Sequence, residues 1–122
     1  MGWPPFYLGD FVPQVVAGTK TMTRRNWRKK CFVDGFLNNV GRKWHRAQAE
    51  KKKSTQVGWV RVSDMYKQSL RDMPEEDLVP EGCGHLNMAQ FVQLPCFKDV
   101  TLDTKLWVVV FEFRETLEFH GG

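Results

Sequence analysis

The chain has 122 residues, of which 42% are hydrophobic and 26% charged, and its formal net charge is +4. This length and composition predict one globular domain over 1–122, and they exclude a disordered chain. No apolar run approaches the roughly 18 residues of a membrane-spanning helix, and Met1–Pro5 carries no secretory or myristoylation signal, so we expect a cytoplasmic protein.

The first predicted element is a short helix over Phe11–Val16, where apolar residues recur at helical spacing. Pro13 suits the first turn of this helix, and Gly18 suits the left-handed residue that ends a helix. From Lys20 onward the threonines favour extended backbone, so a strand or its entry turn is predicted to follow.

A longer helix is predicted over Cys31–Ala49, because apolar residues fall at every fourth position: Phe32, Phe36, Val40 and Trp44. Arg42, Lys43 and Arg46 fall on the opposite side, and Lys51–Lys53 lead into a loop. The pattern therefore predicts a helix that packs by one face and presents a basic face to solvent or to a ligand.

Four further elements are predicted from periodicity and from helix-breaking residues. They are a strand over Val57–Val62, a short helix over Met73–Leu78, a helix from Asn87 to Pro95 and a strand over Leu106–Phe113. Gly58 indicates a bulge or a close backbone approach, and the last strand is apolar enough to be covered on both faces. Residues 114–122 are predicted to be a frayed tail.

The three cysteines, Cys31, Cys83 and Cys96, are odd in number and scattered, so free thiols are predicted rather than a disulfide framework. Cys83, His85 and Cys96 lack the paired spacing that is typical of a zinc site. We therefore predict neither a metal nor a cofactor.

The charge is distributed unevenly along the chain. Residues 20–53 contain twelve Lys or Arg against two acids, whereas the remaining residues contain six basic and twelve acidic side chains. Such a polarised layout is typical of a surface that meets a polyanion, and nucleic acid is the leading candidate.

Gly18, Lys20 and Arg24, with Arg25 as an alternative to Arg24, resemble the G-x-K-x-x-x-R signature of the ASCH family, which has a PUA-like fold. Further motifs are similar in order and spacing: Val57–Val62, Leu70–Met73, Glu81–Gly82 and Phe91. The resemblance spans roughly Phe6 to Glu115. It implies an α+β fold built on a small, mostly antiparallel β-barrel with packed helices.

Within that broader family, small bacterial amidohydrolases that act on N4-acetylcytidine use a lysine, a threonine three residues later and a distant glutamate. Lys20, Thr23 and Glu81 match those positions, so the resemblance implies that they are catalytic. In this mechanism a neutral Lys20 takes the proton of Thr23, whose oxygen attacks the amide carbonyl, and Glu81 relays a proton to the leaving amine. The side chains of Lys20 and Thr23 converge only if the backbone turns between these two residues.

Binding of RNA, or of a nucleotide within it, through a cleft and the adjoining basic helix is the leading functional hypothesis. The residues expected to contact nucleic acid are Lys20, Arg24, Arg25, Trp27, Arg28, Arg42, Lys43 and Arg46. A tryptophan such as Trp27 is more commonly a core residue, and Glu81 is equally typical of a structural partner for Arg24 or Arg25. The alternatives are a hydrolase that acts on an acylated nucleobase or on RNA, and a module that binds an acidic protein.

Overall fold

The computed structural model describes residues 4–117, which form five strands and three α-helices. These elements are β1 Phe6–Tyr7, α1 Val12–Val16, β2 Met22–Arg25, α2 Lys30–Leu37, β3 His45–Gln48, β4 Gln56–Ser69, α3 Met88–Phe91 and β5 Lys105–Arg114. Short 3-10 helices at Gly9–Phe11, Lys53–Thr55, Leu70–Asp72, Glu75–Leu78 and Pro95–Phe97 complete the connections.

The five strands form one sheet in the order β1-β3-β4-β5-β2. β1 pairs with β3 in parallel, whereas the β3–β4, β4–β5 and β5–β2 pairs are antiparallel. The sheet is curled into a half-barrel with helices packed around it, so the fold is mixed α+β. This is consistent with the predicted small, mostly antiparallel β-barrel, since three of the four strand pairs are antiparallel and one is parallel.

β4 is longer than predicted, because all fourteen of its residues are extended and it pairs with both β3 and β5. The register with β3 shifts between Ala47 and Gln48, opposite Gly58, and a Cβ at Gly58 would lie 2.5 Å from the carbonyl oxygen of Arg114. The predicted bulge or close approach at Gly58 is therefore confirmed. A side chain at this position has no room between the strands.

The predicted helix over Cys31–Ala49 is wrong, because α2 ends at Leu37 and a turn leads into β3. Gly41 adopts φ of +71°, and its N–H donates to the carbonyl oxygen of Val62 at 2.7 Å, which ties the turn to β4. A left-handed glycine interrupts a helix. The spacing of Phe32 and Phe36 therefore predicts α2 correctly, whereas the same spacing at Val40 and Trp44 does not correspond to a helix.

The shorter predicted elements match the structure more closely. Pro13 lies in the first turn of α1, and Gly18, with φ of +79°, follows its end. Asn87 caps α3 in a capping box with Gln90, as its position predicts. β5 continues to Arg114, where the predicted tail begins, and residues 118–122 of that tail lie outside the described residues.

Apolar side chains form two clusters on opposite faces of the sheet. The inner cluster includes Phe6, Phe36, Val60 and Phe111, and the outer cluster includes Leu70, Leu78, Phe91, Phe97 and Leu106. β5 supplies Leu106 to the outer cluster and Val109 and Phe111 to the inner one, which confirms that it is covered on both faces. Among residues 4–117, no helix has the length and apolar character needed to cross a membrane.

His45 is fully buried in the inner cluster, where its ring packs on Phe36 with 4.5 Å between centroids. Its Nδ1 lies 2.9 Å from the carbonyl oxygen of Pro4, which can only accept, so Nδ1 carries the proton. Nε2 has no hydrogen-bond partner within the described part of the chain. Burial lowers the pKa of His45, so the folded protein holds this ring neutral.

We expect His45 to make the fold acid-sensitive. The unfolded chain binds a proton as the pH falls through about 6.5 but the folded chain does not, so stability is lost below that pH by up to about 1.4 kcal/mol per unit. His45→Asn should flatten this part of the curve in urea denaturation measured between about pH 7 and pH 5. His85→Asn, at an exposed position, is the matched control. Equal pH profiles for the two variants would contradict the prediction.

Candidate functional site

The end of β2 and the loops that follow β4 enclose a cavity of about 140 Å³. Its polar lining consists of Lys20, Thr23, Arg24, Arg25 and Glu81. Its remaining lining is apolar or thiol: Phe11, Cys83, Phe91, Leu94, Cys96 and Phe97. The four side chains that the sequence predicts to line one cleft, Lys20, Thr23, Arg25 and Glu81, thus border a single hollow.

Lys20 lies in the turn between α1 and β2 rather than on the strand itself. The turn is docked on the loop before Glu81, because the N–H groups of Thr21 and Met22 both donate to the carbonyl oxygen of Pro80. This turn is the backbone bend that lets Lys20 and Thr23 border the same cavity, although a regular strand would point them to opposite faces.

The ammonium group of Lys20 is surrounded by acceptors. Nζ donates to the carbonyl oxygens of Met22 at 2.8 Å and of Glu81 at 2.6 Å, and it lies 3.6 Å from Glu81 Oε1 and 4.3 Å from the centre of the Phe11 ring. Burial lowers the pKa of Lys20, and the Glu81 carboxylate opposes that shift. Two carbonyl acceptors satisfy both N–H bonds of a neutral amine and leave its lone pair available.

Glu81 is held by a buried network centred on Arg24, whose side chain is fully enclosed. Arg24 Nη1 donates to Glu81 Oε2 at 2.6 Å, and Nη2 donates to Asp77 Oδ2 and to Gln68 Oε1, each at 2.7 Å. Burial raises the pKa of Glu81, whereas Lys20 and Arg24 oppose the shift. The sequence predicts that Arg24 contacts nucleic acid, but its terminal nitrogens are occupied by protein, so it acts here as a partner of Glu81.

Thr23 and Arg25 are two residues apart on β2 and therefore share a face of the strand. Arg25 Nε donates to Thr23 Oγ1 at 3.0 Å, and Nη2 donates to the carbonyl oxygen of Tyr7 at 2.7 Å. Because β1 and β2 are the two edge strands of the sheet, this guanidinium joins the edges of the curled half-barrel. It also places positive charge directly on the Thr23 hydroxyl.

Cys83 and Cys96 are lining residues that sequence analysis missed, and both are free thiols. Burial raises the pKa of each thiol, so both are protonated and weakly nucleophilic near neutral pH. Sequence analysis also missed the phenylalanines that line the cavity, because the apolar spacing around Phe11 and Phe91 is typical of core residues. Within residues 4–117, no three His, Cys, Asp or Glu side chains are grouped as metal ligands would be.

An open groove of about 570 Å³ continues from the cavity and shares Phe11 and Arg25 with it. It runs between the Tyr7–Phe11 segment and the Ala49–Lys51 segment. We call it the exit groove. Its charged lining residues are Arg25 and Lys51 against Asp10 and Glu50, and Lys51 is the first of three consecutive exposed lysines.

The other residues predicted to bind nucleic acid line neither the cavity nor the exit groove. Trp27 packs in the inner cluster, stacked on Phe36 with 4.8 Å between ring centres, and Arg28 is exposed in the loop before α2. Arg42 and Lys43 lie in the turn after α2, and Arg46 lies on β3. The expected basic helix beside the cleft is therefore replaced by a turn and a strand.

The fold of this chain is similar to that of protein EF3133 from Enterococcus faecalis V583, a protein described by the family name DUF984. The two structures superpose with a TM-score of 0.67, covering 94% of this chain and 78% of that chain. Their sequences are 16% identical, a level that shows a shared fold and transfers no residue roles. No protein-family model matches the sequence, and no curated protein matches it.

We expect the Arg24 network to be essential for stability. Arg24→Gln leaves the buried Glu81 carboxylate without its closest cation and should lower the free energy of unfolding by about 3 kcal/mol or more. Urea denaturation measures the change. Arg28→Gln removes the same charge from an exposed position and should cost less than about 0.5 kcal/mol. Similar losses in the two variants would show that the network contributes little.

Proposed function

We propose that this chain is a PUA-like domain of the ASCH type that binds one nucleobase of RNA, or of a nucleotide, in the cavity. The resemblance of the Gly18, Lys20, Arg24 and Glu81 motifs supports the family, and the curled half-barrel is consistent with it. The observation that carries the functional proposal is the lining of the cavity, which combines cations, a hydroxyl and a carboxylate with phenylalanine walls.

The size of the cavity favours a single ring. A protein cavity of about 150 Å³ holds one benzene molecule, so a hollow of about 140 Å³ suits a pyrimidine rather than a whole nucleotide. Phe11, Phe91 and Phe97 offer apolar surface to the faces of such a base. Thr23, Arg25 and Glu81 offer hydrogen-bonding groups to its edge, which is how proteins recognise unstacked bases.

The exit groove gives the ribose and phosphate a place outside the cavity. Its lining includes Arg25 and Lys51 together with Asp10 and Glu50, so a phosphate in this groove has two cationic side chains to contact. Phosphate contacts fix the register of a nucleic acid, whereas contacts to base edges carry the selectivity. We therefore favour a single-stranded segment, because a base enters the cavity only after it leaves a stack.

A second candidate function is hydrolysis of an acylated nucleobase, and the Arg25–Thr23 hydrogen bond favours it. A guanidinium that donates to Thr23 Oγ1 stabilises negative charge on that oxygen, and the lowered pKa of Lys20 favours the neutral amine that a general base requires. The resemblance to amidohydrolases involves the same residues, Lys20, Thr23 and Glu81.

In this reaction Lys20 takes the Thr23 proton, the threonine oxygen bonds to the acyl carbon, and the bond from that carbon to the base nitrogen breaks. The resulting Lys20 ammonium, 3.6 Å from Glu81 Oε1, passes this proton to the Glu81 carboxylate, which gives it to the departing amine. Water then hydrolyses the acyl-threonine ester and restores the hydroxyl. The raised pKa of Glu81 favours the acid form that this step needs.

Blocking the cavity should weaken nucleic-acid binding without changing the charge of the protein. Cys96→Phe adds a ring to the cavity wall and should reduce the affinity for a fluorescein-labelled single-stranded RNA about tenfold or more, measured by anisotropy at about 50 mM salt. Cys31→Phe places the same ring on exposed α2, away from the cavity, and should leave the affinity unchanged. Equal affinities for both variants would refute base binding in this cavity, and an affinity that is insensitive to salt would contradict the phosphate contacts in the exit groove.

If the chain is a hydrolase, the Thr23 hydroxyl should be indispensable for turnover of N4-acetylcytidine. Thr23→Val keeps the shape of the side chain and should abolish deacetylation, whereas Thr23→Ser keeps a hydroxyl and should retain measurable activity. Lys20→Ala should also abolish it. The rate should rise with pH and level off below the usual lysine pKa of about 10.4, because burial lowers that of Lys20. Absence of turnover by the native protein removes this candidate and leaves the binding proposal intact.

A further inference from the structure

We propose that a second groove, formed between the start of α2 and the paired ends of β4 and β5, binds a phosphorylated nucleoside unit through both its phosphate and its base. The groove has a volume of about 420 Å³. We call it the cationic groove, and its relevant lining residues are Arg28, Lys30, Lys67, Lys105, Trp27 and Trp107. The proposal extends the proposed nucleic-acid function to a site with its own residues.

The charge of the cationic groove favours a phosphate. Of the residues that the structure describes, four cationic side chains line it against one acid, Asp34. Asp34 is already paired, because its Oδ2 accepts a hydrogen bond from Lys30 Nζ at 2.8 Å. Lys105 Nζ lies 4.0 Å from Asp72 Oδ2, and both of these side chains are more than half exposed, so that pair is weak and leaves Lys105 able to reach a ligand.

Two indoles give the same groove an aromatic surface. Trp107 faces Lys67 in the register of β4 and β5, and Lys67 Nζ lies 5.2 Å from the centre of the Trp107 ring. Trp27 reaches the groove from the inner cluster, where Phe36 holds its ring in a stacked arrangement. A cation set beside an aromatic surface is the combination that proteins use for a nucleotide, with the base against the ring and the phosphate against the cations.

The cationic groove and the cavity differ in volume and in lining residues. At about 420 Å³ the cationic groove is about three times the volume of the cavity and lies within the range of roughly 300–1,000 Å³ typical of small-molecule sites. It therefore has room for a base, a ribose and a phosphate together. Within the described part of the chain, the cationic groove and the cavity have no lining residue in common, so each site is testable without disturbing the other.

The test is an NMR titration of the native protein in which the indole N–H resonances, assigned to individual tryptophans, report on the groove. The probes are uridine 5′-monophosphate, uridine and inorganic phosphate. We expect the monophosphate to shift the Trp107 resonance along a saturating curve, with uridine and inorganic phosphate each about tenfold weaker or worse. Among residues 4–117, no tryptophan lines the cavity, so binding there does not shift the Trp107 resonance directly.

Matched variants locate the phosphate. Replacing Lys67 and Lys105 together by Gln should weaken binding of the monophosphate about tenfold to a hundredfold, since each can supply a charge-assisted hydrogen bond. Replacing Lys53 and Lys98 together by Gln removes the same charge from exposed positions that line neither the cavity, the exit groove nor the cationic groove. This control should leave the affinity for the monophosphate within about twofold of the native value.

Four results would each overturn the proposal: no Trp107 shift at millimolar monophosphate, equal binding of uridine, binding of inorganic phosphate as tight as that of the monophosphate, or equal losses in the two double variants. The third result would indicate a bare anion site. Cys96→Phe should leave the Trp107 titration unchanged, because Cys96 lies in the cavity. Failure of the cavity proposal and failure of this one are thus distinguished by different variants and different signals.

Discussion

The buried ion pair between Arg24 and Glu81 is the interaction on which the site depends. It joins β2 to a loop 57 residues later, and Asp77 and Gln68 complete the shell of acceptors around the guanidinium. Burial of these charges is tolerable because each has a close partner, and removal of Arg24 leaves the Glu81 carboxylate desolvated without its closest cation. The network therefore fixes the Glu81 carboxylate beside Lys20 before any ligand arrives.

The same arrangement is compatible with both of the functions proposed for the cavity. Glu81 shares its carboxylate between Arg24 and Lys20, while burial disfavours the charged forms of both Glu81 and Lys20. Arg25 adds a third cation, whose hydrogen bonds to Thr23 and to the Tyr7 carbonyl fix the hydroxyl and link the edge strands. The same contacts thus link the two edge strands of the half-barrel and position polar groups around a cavity that has about the volume of one aromatic ring.

The basic third of the chain, which looks like one continuous feature in the sequence, is divided among separate environments. Lys20 and Arg24 are buried partners of Glu81, Arg25 lines the cavity and Arg28 borders the cationic groove. The turn at Gly41 separates the later cations from these positions, because its bond to Val62 ends any continuation of α2. Clustering along a sequence therefore does not translate into one binding face.

Local patterns sufficed to identify features that depend on a few neighbouring residues: the helix that ends before Gly18, the strand β5 covered on both faces and the cap at Asn87. The resemblance of short motifs was enough to predict that Lys20 and Glu81 line one cleft. Three features were decided only by the tertiary structure: the early end of α2, the burial of Arg24, and the approach of the cations of β4 and β5 to those of the β2–α2 loop. The physical reason is range: periodicity and capping act over three or four residues, whereas burial and pairing depend on partners tens of residues away.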